Sequence, residues 1–405
     1  MAIPEPQVAA TIRSDEAGDK RWDVVVIGAG PAGAMAARQL ALEDARVLLV
    51  DRASFPRSKV CGCCVNGAAI GVLAQVGLGD LLQRCHARKV EAFQLASSGR
   101  FATVPLSEGV SLSRERLDTA LIQAAIEAGA EFLDRALALI GERTSDACEI
   151  LLKTESGERS ASAMAVVVAG GLGCRVFAES ESDDRKASPS SRVGAGTILD
   201  SAPAEYTAGT IYMACHPQGY VGLVRLEDNR LDVAAALNAN AIKESGGVAE
   251  LVGRILTDSK LPIPELLDGA EWHGTGRLTQ RREHVVSERC FFIGDAAGYV
   301  EPFTGEGIAW ALASGRVVAP IVLDFVRNDP NSNAMHAWTS THQKLIANRA
   351  RLCRCVSRLL RYPTLVNIAV RLLALAPLLA RPVVRSLNAS FEAKMPNKET
   401  ATKHR

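Results

Sequence analysis

After a polar opening, the run Val24-Val25-Val26-Ile27 is wholly apolar and stops at Gly28. A short β-branched stretch of this kind reads as a strand buried on both faces. Gly28-Ala29-Gly30-Pro31-Ala32-Gly33 follows, then Ala34 to Ala41, rich in strong helix formers. Val47 to Val50 is a second apolar run and ends at Asp51. Strand, glycine turn, helix, strand and acid form a βαβ unit. Leu117 to Gly129 predicts a helix closed by its glycine. Val166–Val168 and Phe291–Ile293 predict buried strands, and Gly307 to Val318 a helix. Between 193 and about 240 the pattern favours strands, with turns at Pro217-Gln218-Gly219 and Asp228-Asn229, and therefore a sheet. Residues 1–20 read as a loose polar tail, and the polar stretch 179–192 as a crossing between domains.

The last region has a different pattern. From Asn331 to Ser390 there is no Asp or Glu, while nine Lys or Arg alternate with leucines from Leu359 to Leu379. Basic residues among leucines suit helices lying on an anionic membrane surface, or helices packed on the protein with a cationic outer face. No stretch reaches the roughly 18 continuous apolar residues of a membrane span. The nearest candidate late in the chain, Tyr362 to Val384, is interrupted by Arg371 and Arg381.

Composition narrows the classes. The 405 residues are 48% hydrophobic, so a large core and two to three domains are expected. Lys and Arg total 46 against 45 Asp and Glu, which argues against bulk electrostatic nucleic-acid binding. The ten cysteines are too dispersed for a disulfide scaffold or a zinc site, and the acidic start lacks the apolar core of a signal peptide. A reducing, cytoplasmic setting without a metal is the expectation.

Gly28-x-Gly30-x-x-Gly33 after a strand is a dinucleotide fingerprint. The first glycine permits the turn, the second lets backbone approach a pyrophosphate, and the third lets helix pack on strand. The helix N-terminus, opened by Pro31 and Ala32, offers free N–H groups from Ala32 onward and a positive dipole, which favour phosphate. Asp51 at the end of the next strand can accept ribose hydroxyls and disfavours a 2′-phosphate, so FAD or NAD is expected over NADP.

Cys290-Phe-Phe-Ile-Gly294-Asp295-Ala-Ala-Gly298 continues through Pro302 to Gly305-Glu306-Gly307-Ile308. With this second motif, residues 22 to 325 resemble the FAD-dependent reductases and monooxygenases of the p-hydroxybenzoate hydroxylase fold, and within them the geranylgeranyl reductase group. The resemblance implies an α/β fold: a Rossmann-like FAD-binding domain with a parallel sheet, an inserted antiparallel-sheet substrate domain and a helical C-terminal region. The expected division is 21–88, 112–180 and 276–330 for FAD, 89–111 and 190–275 for substrate, 331–395 for the basic helices and 396–405 for a tail. The resemblance places Asp295 against the ribityl chain. The Gly305-Glu306-Gly307-Ile308 turn would present a helix N-terminus to the flavin pyrimidine, where negative charge develops on reduction. Phe55-Pro-Arg57-Ser-Lys59-Val-Cys61-Gly62 resembles the run passing beside the cofactor, which implies contacts from Lys59, Cys61 and Gly62, with Arg52 just before it. Arg114-x-x-Leu117-Asp118 resembles a motif whose Arg approaches FAD.

The chain also departs from these relatives. The hydroxylases' Ala-Asp-Gly-x-x-Ser-x-x-Arg is replaced by Ala169-Gly170-Gly171-Leu172-Gly173-Cys174-Arg175, which puts direct NADPH use in doubt. The archaeal Tyr-x-Trp-x-Phe-Pro element keeps only Tyr220. Gly194-Ala-Gly196 lacks the context of a second nucleotide site. Cys61 is the candidate catalytic residue, as proton donor or pocket wall; Tyr220 and His216 are candidate substrate residues. The expected function is FAD-dependent reduction of isoprenoid-type double bonds in a hydrophobic, lipid-like substrate, with electrons from NAD(P)H or a separate reductase. Hydroxylation of a lipophilic aromatic (a quinone or polyketide precursor) is the alternative. An idle or electron-transferring flavoprotein is the third.

Overall fold

A computed structural model describes residues 3, 5–178, 184–301, 303, 305–328 and 333–391 of the chain. Pro302 and Thr304 of the second motif, part of the 179–192 stretch and the tail at 396–405 lie outside the described residues. The strand Arg21–Ile27 is central to an eight-stranded sheet. It pairs in parallel with Val47–Val50 on one side and with Gly157–Val168 on the other. Glu131–Leu133 and Cys290–Phe292 extend the parallel set outward. The four residues Val24 to Ile27 are buried, as strands covered by helices on both faces must be.

The helix Pro31–Ala41 packs on the long buried helix Gly307–Arg327. The latter is long and apolar enough to cross a membrane, but 83% of its most apolar window is buried inside the fold. It is a core helix.

A second, seven-stranded sheet is antiparallel except for one parallel pair. Its order is His273–Arg277, Val193–Leu199, Leu231–Leu237, Gly219–Arg225, Thr210–His216, Ala92–Ser97 and Arg100–Pro105. The Gly194-Ala-Gly196 run is thus strand interior. Helix Val248–Ser259 covers one face through Leu251, Val252, Ile255 and Leu256. The other face turns toward the FAD-type unit. Buried Glu227 ties the two units together: it accepts from Ser113 N at 2.9 Å and Ser113 Oγ at 2.6 Å, and pairs with Arg116 at 3.2 Å.

One expectation fails here, and one alternative is decided. The opening residues are not a loose tail throughout. Thr11 N donates to Phe132 O at 2.9 Å, Ser14–Asp19 is a helix, and Ile12 and Ala17 are buried, because these two apolar residues cap the sheet's edge. Of the two readings of the basic helices, packing on the protein holds for their inner side. Helix Ala334–Leu359 buries Trp338 completely, and its indole N–H donates to Phe292 O at 3.1 Å. Helix Pro363–Leu375 then crosses to the second sheet, where Val366 and Val370 are buried with Leu95, Ala102 and Met213. After a 118° bend, the chain returns to the first unit, where Asn388 Oδ1 accepts from Gly67 N at 3.2 Å. The C-terminal region is a strap across both units.

Candidate cofactor site and substrate chamber

The glycine turn is built as its spacing requires. Gly28 has φ +104°, and a Cβ there would lie 2.6 Å from Ala169 O. A Cβ on Gly33 would lie 1.8 Å from Gly28 O, so only glycine lets the helix begin at Pro31 this close to the strand. Asp51 is buried, and its two oxygens accept from Ala29 N at 2.7 Å and Ala53 N at 2.9 Å. Each oxygen keeps a lone pair for a further donor. Arg52, next along, is exposed.

Two guanidinium groups overlook the turn. A Cβ on Gly30 would meet Arg114 Nη2 at 3.7 Å and Arg57 Nη2 at 3.8 Å. Arg114 is locked by a fork to Asp118, at 2.8 and 2.7 Å, and Arg57 reaches the same carboxylate at 3.4 Å. Asp118 is wholly buried and carries both cations. Arg57 was not among the expected site residues; its place in the Phe55–Gly62 run was the available signal.

Beyond the turn lies the Lys59–Cys61 segment. Burial and the neighbouring Arg114 hold the Lys59 ammonium below its usual range. Asp295, on the short 3₁₀ turn Gly294–Ala297, has Lys59 and Arg114 as its nearest cations, while burial pushes its carboxyl up. Gly62 is open, with no atom within 4 Å of where a Cβ would be. The Cys61 thiol is held down to about 6, first by a hydrogen bond from Cys63 and then by the charge of Arg114, against the effect of burial.

Gly305, with φ +67°, leads into helix Gly307–Arg327, and Ile308 is buried in its first turn. Glu306 precedes this helix but does not cap it. Its carboxylate is instead drawn to the strap, by Arg349 Nη1 at 2.5 Å and Cys353 Sγ at 3.2 Å. The helix therefore keeps free N–H groups and positive dipole on the side facing Tyr299, whose Oη would lie 3.6 Å from a Cβ on Gly307. Tyr299 was not foreseen, since only the turn brings it there.

A packed apolar cluster adjoins this point. Tyr220 packs edge-on to Phe303 at 5.1 Å, and Phe303 to Phe93 at 6.1 Å. Leu95, Met213, Tyr299 and the strap's Val366 and Val370 join the same cluster. Tyr220 therefore faces this cluster, its buried hydroxyl without a hydrogen-bond partner. His216 does not. Strand alternation puts it on the opposite face with Tyr212 and Ala214, where Nε2 lies 3.3 Å from Asp258 and Nδ1 accepts from Gln218 N. It is a structural histidine.

The arrangement fits FAD. A bare Gly30 under two guanidinium groups suits a pyrophosphate, Asp51 a ribose, Asp295 a polyol chain, and an uncapped helix start an electron-rich ring edge. Residues 21–327 match the family described as FAD binding domain. The chain belongs to that family. This FAD-binding oxidoreductase is 26% identical over 327 residues to a digeranylgeranylglycerophospholipid reductase of Methanosphaera stadtmanae, covering 76% of this chain and 79% of that protein. It is 25% identical over 404 residues to a menaquinone reductase of Mycobacterium tuberculosis, covering 88% and 91%. Among solved structures, a geranylgeranyl bacteriochlorophyll reductase-like protein from Thermoplasma acidophilum aligns with a TM-score of 0.70 at 16% identity, over 91% of this chain and 98% of that one. A p-nitrophenol 4-monooxygenase from Pseudomonas putida aligns at 0.73 and 13% identity, covering 91% and 99%, which shows the shared fold.

Proposed function

We propose that this FAD-dependent oxidoreductase reduces carbon–carbon double bonds of an isoprenoid-type lipid. The observation that carries the reading is a continuous apolar cluster that reaches a surface groove. It runs from Tyr299, beside the helix start, through Phe303 and Tyr220 to Val366 and Val370 of the strap. The strap's outer side exposes Leu365, Ile368, Leu372 and Leu375. A 390 Å³ groove lined by Arg100, Phe101, Val370, Arg371 and Leu375 separates the strap from strand Arg100–Pro105. Such a path suits a long apolar chain with a polar or anionic end. The names of the two relatives above agree with this substrate class.

When bound, FAD supplies hydride transfer. The protein's residues do the rest. Arg57 and Arg114 hold the diphosphate, Asp51 and Asp295 hold hydroxyls, and the aromatic wall excludes water from the reacting bond. Cys61, beside the cofactor run, supplies the proton that hydride addition to a double bond requires.

Electrons come from a separate donor protein rather than directly from NAD(P)H. The motion-free reason lies at Gly170, where a Cβ would fall 2.0 Å from Cys174 Sγ. The position that carries an acid in the hydroxylases has no room for a side chain here. The strap is the membrane-facing element of the proposal.

The test is anaerobic. Dithionite-reduced protein is mixed with digeranylgeranylglycerophospholipid or menaquinone in micelles, and reoxidation of flavin and product mass are followed. Substrate-dependent reoxidation with a gain of two hydrogens per double bond supports the reading. Oxygen consumption with an aromatic instead, and no anaerobic turnover, would favour hydroxylation.

A further inference from the structure

Behind Cys61 the structure places two groups that no step so far employs. Cys63 is buried in left-handed backbone, φ +47°, and its Sγ lies 3.4 Å from Asp232 Oδ1. Asp232 is only 4% exposed, and its Oδ2 has no hydrogen-bond partner. It stands on strand Leu231–Leu237, on the face turned to the cofactor unit. Leu231 and Val233 point the other way, into the sheet's own core. Cys61 packs against Cys63 in the same small cluster. Cys63 thus stands between the Cys61 sulfur on the cofactor side and a carboxylate at the back.

We infer that Cys61, Cys63 and Asp232 form a proton relay, in which Asp232 resupplies the proton that Cys61 gives to the substrate. The inference rests on the proposed reductive chemistry. Cys61, a thiolate at rest beside Arg114, first takes the S–H proton of Cys63, and the Asp232 carboxylic acid passes its own to Cys63. Cys61 then gives the proton to the substrate carbon and is a thiolate again. The net change is one proton moved from Asp232 to substrate, with no change of oxidation state in the relay. Solvent reprotonates Asp232 between turnovers.

The surroundings suit each end. Burial, and secondarily the charge of Cys61, push the Asp232 carboxyl well up, so that it holds a proton in the resting state; Arg230 opposes this weakly. Cys64 is pushed up by burial and stays a thiol. Tyr299 faces Cys61 and, buried, remains neutral. Arg114 is therefore the charged group that favours the thiolate, and Asp232 the acid that can refill it. A buried carboxyl with an orphan oxygen is costly to a fold, and a proton store gives it a use.

The test uses FAD-loaded full-length protein and needs no substrate. Iodoacetamide alkylation of Cys61 is followed from pH 5 to 10, with the modified residue located by tandem mass spectrometry. The thiolate is the reactive form, and coupled groups titrate in separate steps. Wild type should show two rises in rate: one as Cys61 ionises, and a second as Asp232 ionises and draws the Cys63 proton away. Asp232→Asn should keep the first rise and lose the second. Cys63→Ala should lower the rate at pH 7 about tenfold, because Cys61 loses its hydrogen bond, and should also lose the second rise. Superimposable profiles for wild type and both variants overturn the relay, even if the lipid reduction itself is confirmed. With a turned-over lipid, Asp232→Asn should slow single turnover at pH 8 tenfold or more and leave pH 5.5 within about twofold. A uniform loss at both pH values indicates a structural role and overturns the relay.

Discussion

A Cβ at Gly170 would fall 2.0 Å from Cys174 Sγ, so an acid cannot be restored there by one substitution. Gly170→Asp should lose on the order of 1–3 kcal/mol by overpacking and lower the melting temperature without conferring NADPH oxidation. Gly170→Asp with Cys174→Gly should recover most of that melting temperature. Thermal unfolding, with bound flavin measured in parallel, checks both. Gly33→Ala is a harsher case. Its methyl would meet Gly28 O at 1.8 Å, so the turn must open. The purified variant should be colourless, and absorbance of the FAD band decides it. Residues of this kind were legible in the sequence, because the demands of a glycine turn are local and fixed by spacing. Asp51 and Asp295 were legible too, the first because it ends the strand that follows the glycine turn and its helix, the second because it follows a buried strand and Gly294. Asp232 and Tyr299 were not, since their roles depend on which strand faces which across the two units. His216 was misread because one-dimensional pattern does not reveal which of a strand's two faces meets the site, and Thr210–His216 is apolar on both.

At the scale of elements, the βαβ unit and the second sheet could be read from apolar runs and turns. The strap could not, because leucines interleaved with arginines describe a membrane face and a packed helix equally. Trp338 and Val366 resolve the ambiguity in favour of packing for one side of the strap. Helix Ala334–Leu359 carries a pH-sensitive contact. His342 stacks near Trp338 at 5.5 Å, its Nε2 is buried without a partner, and burial pulls the imidazole down to about 4. Its folded value is depressed below the unfolded value, near 6.5. The neutral ring therefore favours the fold above pH 6.5, and that contribution is lost as pH falls from 6.5 toward 4. The loss amounts to roughly 1–3 kcal/mol, allowing for partial exposure. Melting temperature should thus fall more steeply between pH 7 and pH 5 in wild type than in His342→Phe. Parallel slopes would remove the histidine from the account. The same helix holds Glu306 through Arg349, and a buried carboxylate stripped of its cation is costly. Arg349→Ala should therefore weaken FAD retention as well as stability, and equilibrium dialysis of the flavin measures the first directly.

For the whole molecule, the distribution of exposed apolar side chains is uneven. Nine of the fifteen large ones among the described residues lie between Leu359 and Val383. Arg371, Arg381 and Arg385 are exposed among or beside them, and no acid lies between Asn331 and Ser390 to offset these cations. We propose that this apolar patch, rimmed by one sign of charge, docks on anionic lipid, which matches both of its properties. The helix that carries the patch buries Val366 and Val370 on its reverse side, in the same cluster as Tyr220. A bilayer at this face would therefore stand one helix away from the reacting bond, and the groove beside Arg371 would open at its surface. Flotation with vesicles containing phosphatidylglycerol should carry the FAD-loaded protein, less so at high salt, where the arginine contribution is screened. Leu372→Glu with Leu375→Glu keeps the buried stripe intact, and should reduce flotation at least tenfold, since burying each leucine is worth roughly 1.5–3 kcal/mol. Deleting the strap would be a poor substitute, because it would tear Trp338 from the core. If the double variant floats like wild type, the patch serves something other than a membrane. If flotation is lost while reduction of micellar lipid persists, docking delivers substrate and the chemistry stands apart from it.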